Sequence, residues 1–153
     1  MGLSARYSRG TIANSKFSGN TLGGGIRLAK CDGVTVANCL FSGNRATQNG
    51  GGLAADSSSV TIRNCTFIGN NARTEGGAMD VNDGTLLTVV GSDFIGNSAG
   101  TLEGGALWVG AGVAGIPLNM RNCTFAKNRC LDITSTDDGG AVYIEAQTNH
   151  HIE

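Results

Sequence analysis

Proline is almost missing from this 153-residue chain, with one occurrence, and aromatic residues make up only 5% of it. No apolar run is long enough to span a bilayer as a helix. The opening MGLSARYSRG lacks the apolar stretch of a secretory signal. Position 6, where an N-myristoylation pattern needs Ser or Thr, is Arg6. No basic run stands out and the net charge is −1, which argues against nucleic acid or an anionic membrane surface as partner. The five cysteines are odd in number and have no CxxC spacing, which argues against a full disulfide framework and against zinc. Glycine, by contrast, is abundant at 25 residues, and apolar residues still make up 40%. That is not a disordered composition. It suits a fold with many tight turns and close backbone approaches.

What is present is a repeat. Phe-x-x-Asn occurs as FSGN, FSGN, FIGN, FIGN and FAKN, at Phe17, Phe41, Phe67, Phe94 and Phe125, with Asn20, Asn44, Asn70, Asn97 and Asn128 closing each copy. Every phenylalanine of the chain lies in this column. A second motif follows each copy: GGGI, GGGL, GGAM, GGAL and GGAV. Loops of unequal length separate the two motifs, from TL to RCLDITSTDD. Length variation confined to one place per repeat predicts loops that bulge outward from a stack held in register.

The segments between are short, alternate apolar with polar, and are broken by Gly and Asn: IRLA, LAAD, AMDV, ALWV, then VTVA, VTIR, LTVV, LNMR. They read as strands, three per repeat. The expected fold is all-β: a parallel β-helix (β-solenoid) of about four to five coils, each strand pairing with its equivalent one coil away. One domain is expected over residues 1–153, with repeats at roughly 11–22, 23–49, 50–75, 76–103 and 104–138 and a partial one at 139–153. In VTIRNCTFIGN the alternation slips at Asn64. The equivalent positions are Asn14, Asn38, Gly91 and Asn122, residues that tolerate a left-handed backbone. This column is expected to be a tight bend, with an amide ladder along the axis. The bend turns Ser15, Cys39, Cys65, Ser92 and Cys123 inward with the phenylalanines. Serine alternates with cysteine there, so these thiols are expected to be packing residues and not ligands. Cys31 and Cys130 fall outside that column.

These alternating motifs resemble the repeats of chlamydial-type polymorphic outer membrane proteins, over about residues 11 to 145. The resemblance implies a right-handed, pectin-lyase-like β-helix, a handedness that the general crossover preference also favours. It implies a structural or adhesive segment of a cell-surface or secreted protein, with a host or cell-surface protein or a glycan as partner. No barrel-forming C-terminal series is visible, so membrane insertion by this segment is not expected. The chain stops in mid-coil after GGAVYIEA, so a fragment of a longer protein is expected. The N-terminal MGLSARYSRG is expected to cap its end weakly. The open ends of such a stack predict end-to-end association.

Function is sought on the outward columns. Arg27, Ala54, Asp80, Trp108 and Tyr143 are expected in one column on the first strand. An exposed aromatic pair beside a carboxylate can stack on sugar rings or dock a partner, so Arg27, Asp80, Trp108 and Tyr143 are the candidate binding residues. The bland alternative is that the two aromatics are covered by the long loop or a further coil. The outward column of the second strand is Thr35, Thr61, Thr88 and Asn119, thin support for ice binding. Polysaccharide cleavage needs clustered acid–base groups. Asp is not expected to stack on Asp here, and Asp132, Asp137, Asp138, His150 and His151 lie in a loop or at the terminus. No cofactor, metal site or catalytic residue is expected.

Overall fold

The computed structural model describes residues 2–101, 103–110, 118–131, 140–144 and 151–152. Four parallel sheets run along one axis, and no helix occurs among the described residues. Sheet one stacks Leu3–Arg6, Ile26–Ala29, Leu53–Asp56, Met79–Asn82, Leu107–Val109 and Val142–Ile144. Sheet two stacks Gly10–Ala13, Val34–Ala37, Ser59–Arg63, Leu86–Val90, Leu118–Arg121 and His151–Ile152. Sheet three carries the phenylalanines: Lys16–Ser18, Leu40–Ser42, Thr66–Ile68, Asp93–Ile95 and Thr124–Ala126. Each strand pairs in register with its equivalent in the next coil, so Phe17, Phe41, Phe67, Phe94 and Phe125 share one row.

Two features differ from the sequence expectation. A fourth sheet of two-residue strands, Arg45–Ala46, Asn71–Ala72, Ser98–Ala99 and Arg129–Cys130, begins where only outward loops were expected. Two residues are too few to show an alternation, which is why the pattern did not reveal it. Leu3–Arg6, expected as a weak cap, is a strand of sheet one paired with Ile26–Ala29.

The interior follows from the alternation. Ile26 and Leu28, Leu53 and Ala55, Met79 and Val81, and Leu107 and Val109 line one wall; Val34 and Val36, Val60 and Ile62, Leu87 and Val89, and Leu118 and Met120 line another. Neighbouring phenylalanine rings stack at centroid distances of 5.1, 4.4, 4.9 and 4.7 Å. Each fully buried ring contributes about 1.5–3 kcal/mol by leaving water.

The bend column holds. Asn14, Asn38, Asn64, Gly91 and Asn122 have φ of 51°, 53°, 50°, 57° and 52°. Its ladder is weak and exposed: Asn38 donates to Asn14 at 3.3 Å and Asn64 to Asn38 at 3.5 Å. The strong amide ladder lies instead in the Phe-x-x-Asn column. There Asn20, Asn44, Asn70 and Asn97 each donate from Nδ2 to Oδ1 of the next asparagine at 2.9–3.0 Å. Asn44, Asn70 and Asn97 are fully buried, and each Nδ2 also reaches a phenylalanine carbonyl one coil back. The Gly-Gly motif closes each coil. Gly76 has φ 59°, and a Cβ there would lie 2.1 Å from the Met79 carbonyl oxygen. A Cβ on Gly77 would lie 2.2 Å from the Gly105 carbonyl oxygen of the next coil.

Candidate functional site

The outer face of sheet one is built by register. Arg27, Ala54, Asp80, Trp108 and Tyr143 are successive partners across five strands. Their setting differs from an open aromatic face. Asp80 is 2% exposed and Trp108 is 8% exposed. The Trp108 ring folds against Gly110, where a Cβ would fall 2.1–2.2 Å from two ring carbons. Its Nε1 has no hydrogen-bond partner among the described residues. Tyr143 is half-buried, and Arg27 is exposed.

Beside this column lies a small polar cleft of about 70 Å³, lined by Arg27, Gln48, Asn49, Asp56, Asp80 and Asn82 with Ala54. Arg27 Nη2 meets Asp56 Oδ2 at 3.0 Å. Asn82 Nδ2 donates to both Asp80 carboxyl oxygens, at 3.2 and 3.0 Å. Asn49 Nδ2 donates to Glu75 Oε2 at 3.0 Å, and Thr74 Oγ1 donates to Asn49 Oδ1. Burial, then the charges of Glu75 and Asp56, push the Asp80 carboxyl up to about 8, against a smaller opposing effect of the Asn82 and Asn49 amides. Asp80 therefore holds its proton at neutral pH. The cleft has room for about two waters. Among the described residues no group of three or more His, Cys, Asp or Glu side chains is placed to hold a metal ion.

Sequence reasoning placed Arg27, Asp80, Trp108 and Tyr143 in one column but missed Asn49, Asp56, Glu75 and Asn82. A signal was available. Asn82 follows Asp80 by two residues and so shares its face of the strand. Asn49, Glu75 and Glu103 each immediately precede a Gly-Gly motif, which makes a polar column over the cleft. Asp132, Asp137, Asp138 and His150 lie outside the described residues. His151 is in the last strand of sheet two, paired with Asn119. Thr11, Thr35, Thr61 and Thr88 do form one rank on sheet two.

The cysteines serve the corners. All five are free. After sheet two, the side chains of Ser15, Cys39, Cys65, Ser92 and Cys123 each donate to the carbonyl two residues back, at 2.8, 3.2, 3.2, 3.1 and 3.3 Å. Cys31 belongs to an equivalent column after sheet one. There Ser8, Cys31 and Ser58 donate two residues back, and Thr85 three residues back to Asn82. Burial pushes the Cys65 thiol up, which makes it a poor nucleophile.

Residues 122–145 match the family model described as the Chlamydia polymorphic membrane protein repeat. No curated protein and no solved structure matches the chain. Residues 1–114 match the family model described as the right handed beta helix region, which is most of the chain. With its coils stacked in register, this chain belongs to the right-handed β-helix family.

Proposed function

We propose that this chain is a structural or adhesive β-helix segment of a cell-surface or secreted protein. The observation that carries the reading is the match of residues 122–145 to a repeat named for membrane proteins of Chlamydia. The fold is consistent with that role. Its strongest side-chain bonds, the buried asparagine ladder and the corner hydroxyls and thiols, are spent inside on regularity. The outer columns change from coil to coil, as surfaces that meet a partner can. The test is adhesion of beads coated with the purified chain to cultured cells. Binding well above that of beads coated with a Phe67→Ala, Phe94→Ala double variant supports the reading. Equal binding by the two sinks it.

The second reading is carbohydrate binding or polysaccharide processing at the sheet-one cleft. One observation favours it: Asp80, protonated at neutral pH, lies within electrostatic reach of Asp56 and Glu75. A protonated carboxyl beside other carboxyl groups is one component that acid–base chemistry on a glycosidic bond uses. The cleft, at about 70 Å³, is small for a sugar ring, which ranks this reading second. If Trp108→Ala and Tyr143→Ala leave binding to a glycan array unchanged, and polysaccharides incubated with the chain stay intact, the second reading falls.

A further inference from the structure

A second concavity of the described surface lies away from sheet one. It is a groove of about 590 Å³ over sheet four. It is lined by Leu22, Arg45, Arg73 and Leu131, with Ala46 and Ala72 buried beneath them. Leu22 and Leu131 are 72% and 48% exposed, high values for leucine in a protein whose other leucines are mostly inside. They belong to the first and fifth coils. The groove therefore runs along the axis for about 19 Å, four coil steps of about 4.8 Å.

Charge is distributed unevenly around the axis. From sheet two through sheet four, the described strands and the corners between them carry Lys16, Arg45, Arg63, Arg121, Lys127 and Arg129 against Asp93, and the bends that follow sheet four add Arg73, Glu75 and Glu103. The net charge of −1 conceals this. The two ion pairs of the described residues, Arg9 with Asp32 and Arg27 with Asp56, lie elsewhere. Arg45 and Arg73 thus face the groove without a carboxylate partner among the described residues.

We propose that this groove binds an extended acidic peptide segment of a partner protein. Its apolar side chains rest against Leu22 and Leu131, and its carboxylates meet Arg45 and Arg73. A segment of about six residues spans the length at about 3.3 Å per residue. The peptide is read through side chains and not as an added strand, because the groove backbone is already bonded along the axis. Arg45 N–H donates to Asn20 O at 2.8 Å and Arg73 N–H to Ala46 O at 3.1 Å. The exposed Leu22 and Leu131 distinguish this surface from a purely cationic one, which would select any polyanion. The proposal rests on the adhesive reading and names its contact surface.

The test uses the full chain and three fluorescent eight-residue peptides, alternating Glu with Leu, Glu with Ser, and Lys with Leu, followed by fluorescence anisotropy. The Glu/Leu peptide is expected to bind at least tenfold more tightly than either of the others. Arg45→Glu with Arg73→Glu is expected to weaken it at least tenfold, and Leu22→Asn severalfold. Arg63→Glu with Arg121→Glu, on sheet two, is expected to change it less than twofold. An equal loss from the sheet-two pair, equal binding of the Glu/Ser peptide, or complete competition by a heparin fragment at equal charge overturns the proposal. Each of those outcomes means a general polyanion surface. Circular dichroism of every variant checks the fold. If cells still bind the chain while no peptide does, the groove assignment fails and the adhesive reading stands. If peptides bind and cells do not, the reverse holds.

Discussion

At the corner after sheet two, the Cys65 thiol donates to the Arg63 carbonyl at 3.2 Å, and the Ser92 hydroxyl donates to the Val90 carbonyl at 3.1 Å. Both side chains are buried and small, so the corner selects a donor reaching back two residues rather than sulfur chemistry. Cys65→Ser is therefore expected to shift unfolding stability by less than about 1 kcal/mol, read by urea denaturation. A loss of several kcal/mol would mean that sulfur itself is needed. Asp80 gives a pH prediction. Its carboxyl titrates at about 8 when folded, against an ordinary 3.8. Below the ordinary value both states are protonated, and the group has no effect on stability. Between about 4 and 8 the unfolded chain releases the proton and the folded chain keeps it, so stability falls as pH rises and levels off above 8. Asp80→Asn removes this slope. Its melting temperature is expected to exceed that of the parent at pH 8 and to approach it at pH 4; parallel melting curves across that range would refute the buried-acid account.

Asparagine plays two parts at the scale of the strand and its bend. Asn64 supplies a left-handed corner, and Gly91 does the same without a side chain. Asn64→Gly is expected to cost no more than about 1 kcal/mol. Asn70 is different. Its Oδ1 accepts from Asn44 N–H at 3.1 Å and Asn44 Nδ2 at 2.9 Å, while its Nδ2 donates to Phe41 O and Asn97 Oδ1, both at 3.0 Å. Asn70→Ala strands these partners in the interior, and a loss of about 3 kcal/mol or more is expected. Denaturant midpoints of the two variants should separate clearly; coincident midpoints would show that the ladder contributes little. Both columns were visible as recurring asparagines. Which of them is buried was not, because that depends on where the chain turns relative to the phenylalanine row.

For the whole molecule, order along the axis comes from neighbours, so the outermost described strands have a partner on one side only. Leu3–Arg6, Gly10–Ala13 and Lys16–Ser18 occupy one end of their sheets, with Phe17 only partly buried. Unpaired strands and a half-covered ring favour association with another edge. The purified chain is expected to show a mass that rises with concentration in light scattering. A monomer mass at high concentration would remove this expectation. The same stacking makes the sides of the molecule chemically distinct, with the buried acid and its carboxylate neighbours at sheet one and arginines with no ion pair among the described residues over sheets two to four.

From the sequence alone came the repeat, the strand-forming alternation, the bend at Asn64 and the inward placement of Cys65 and the phenylalanines, because each depends only on local periodicity and backbone tolerance. The column order of Arg27, Asp80, Trp108 and Tyr143 was legible for the same reason: equal spacing from a Gly-Gly motif sets the register. What surrounds that column was not legible. Loops of different length bring Asn49 and Glu75 over sheet one, bury Asp80, and leave a groove over a sheet too short to show a pattern. Such placements arise when separate coils meet in space, and no single stretch of chain encodes them.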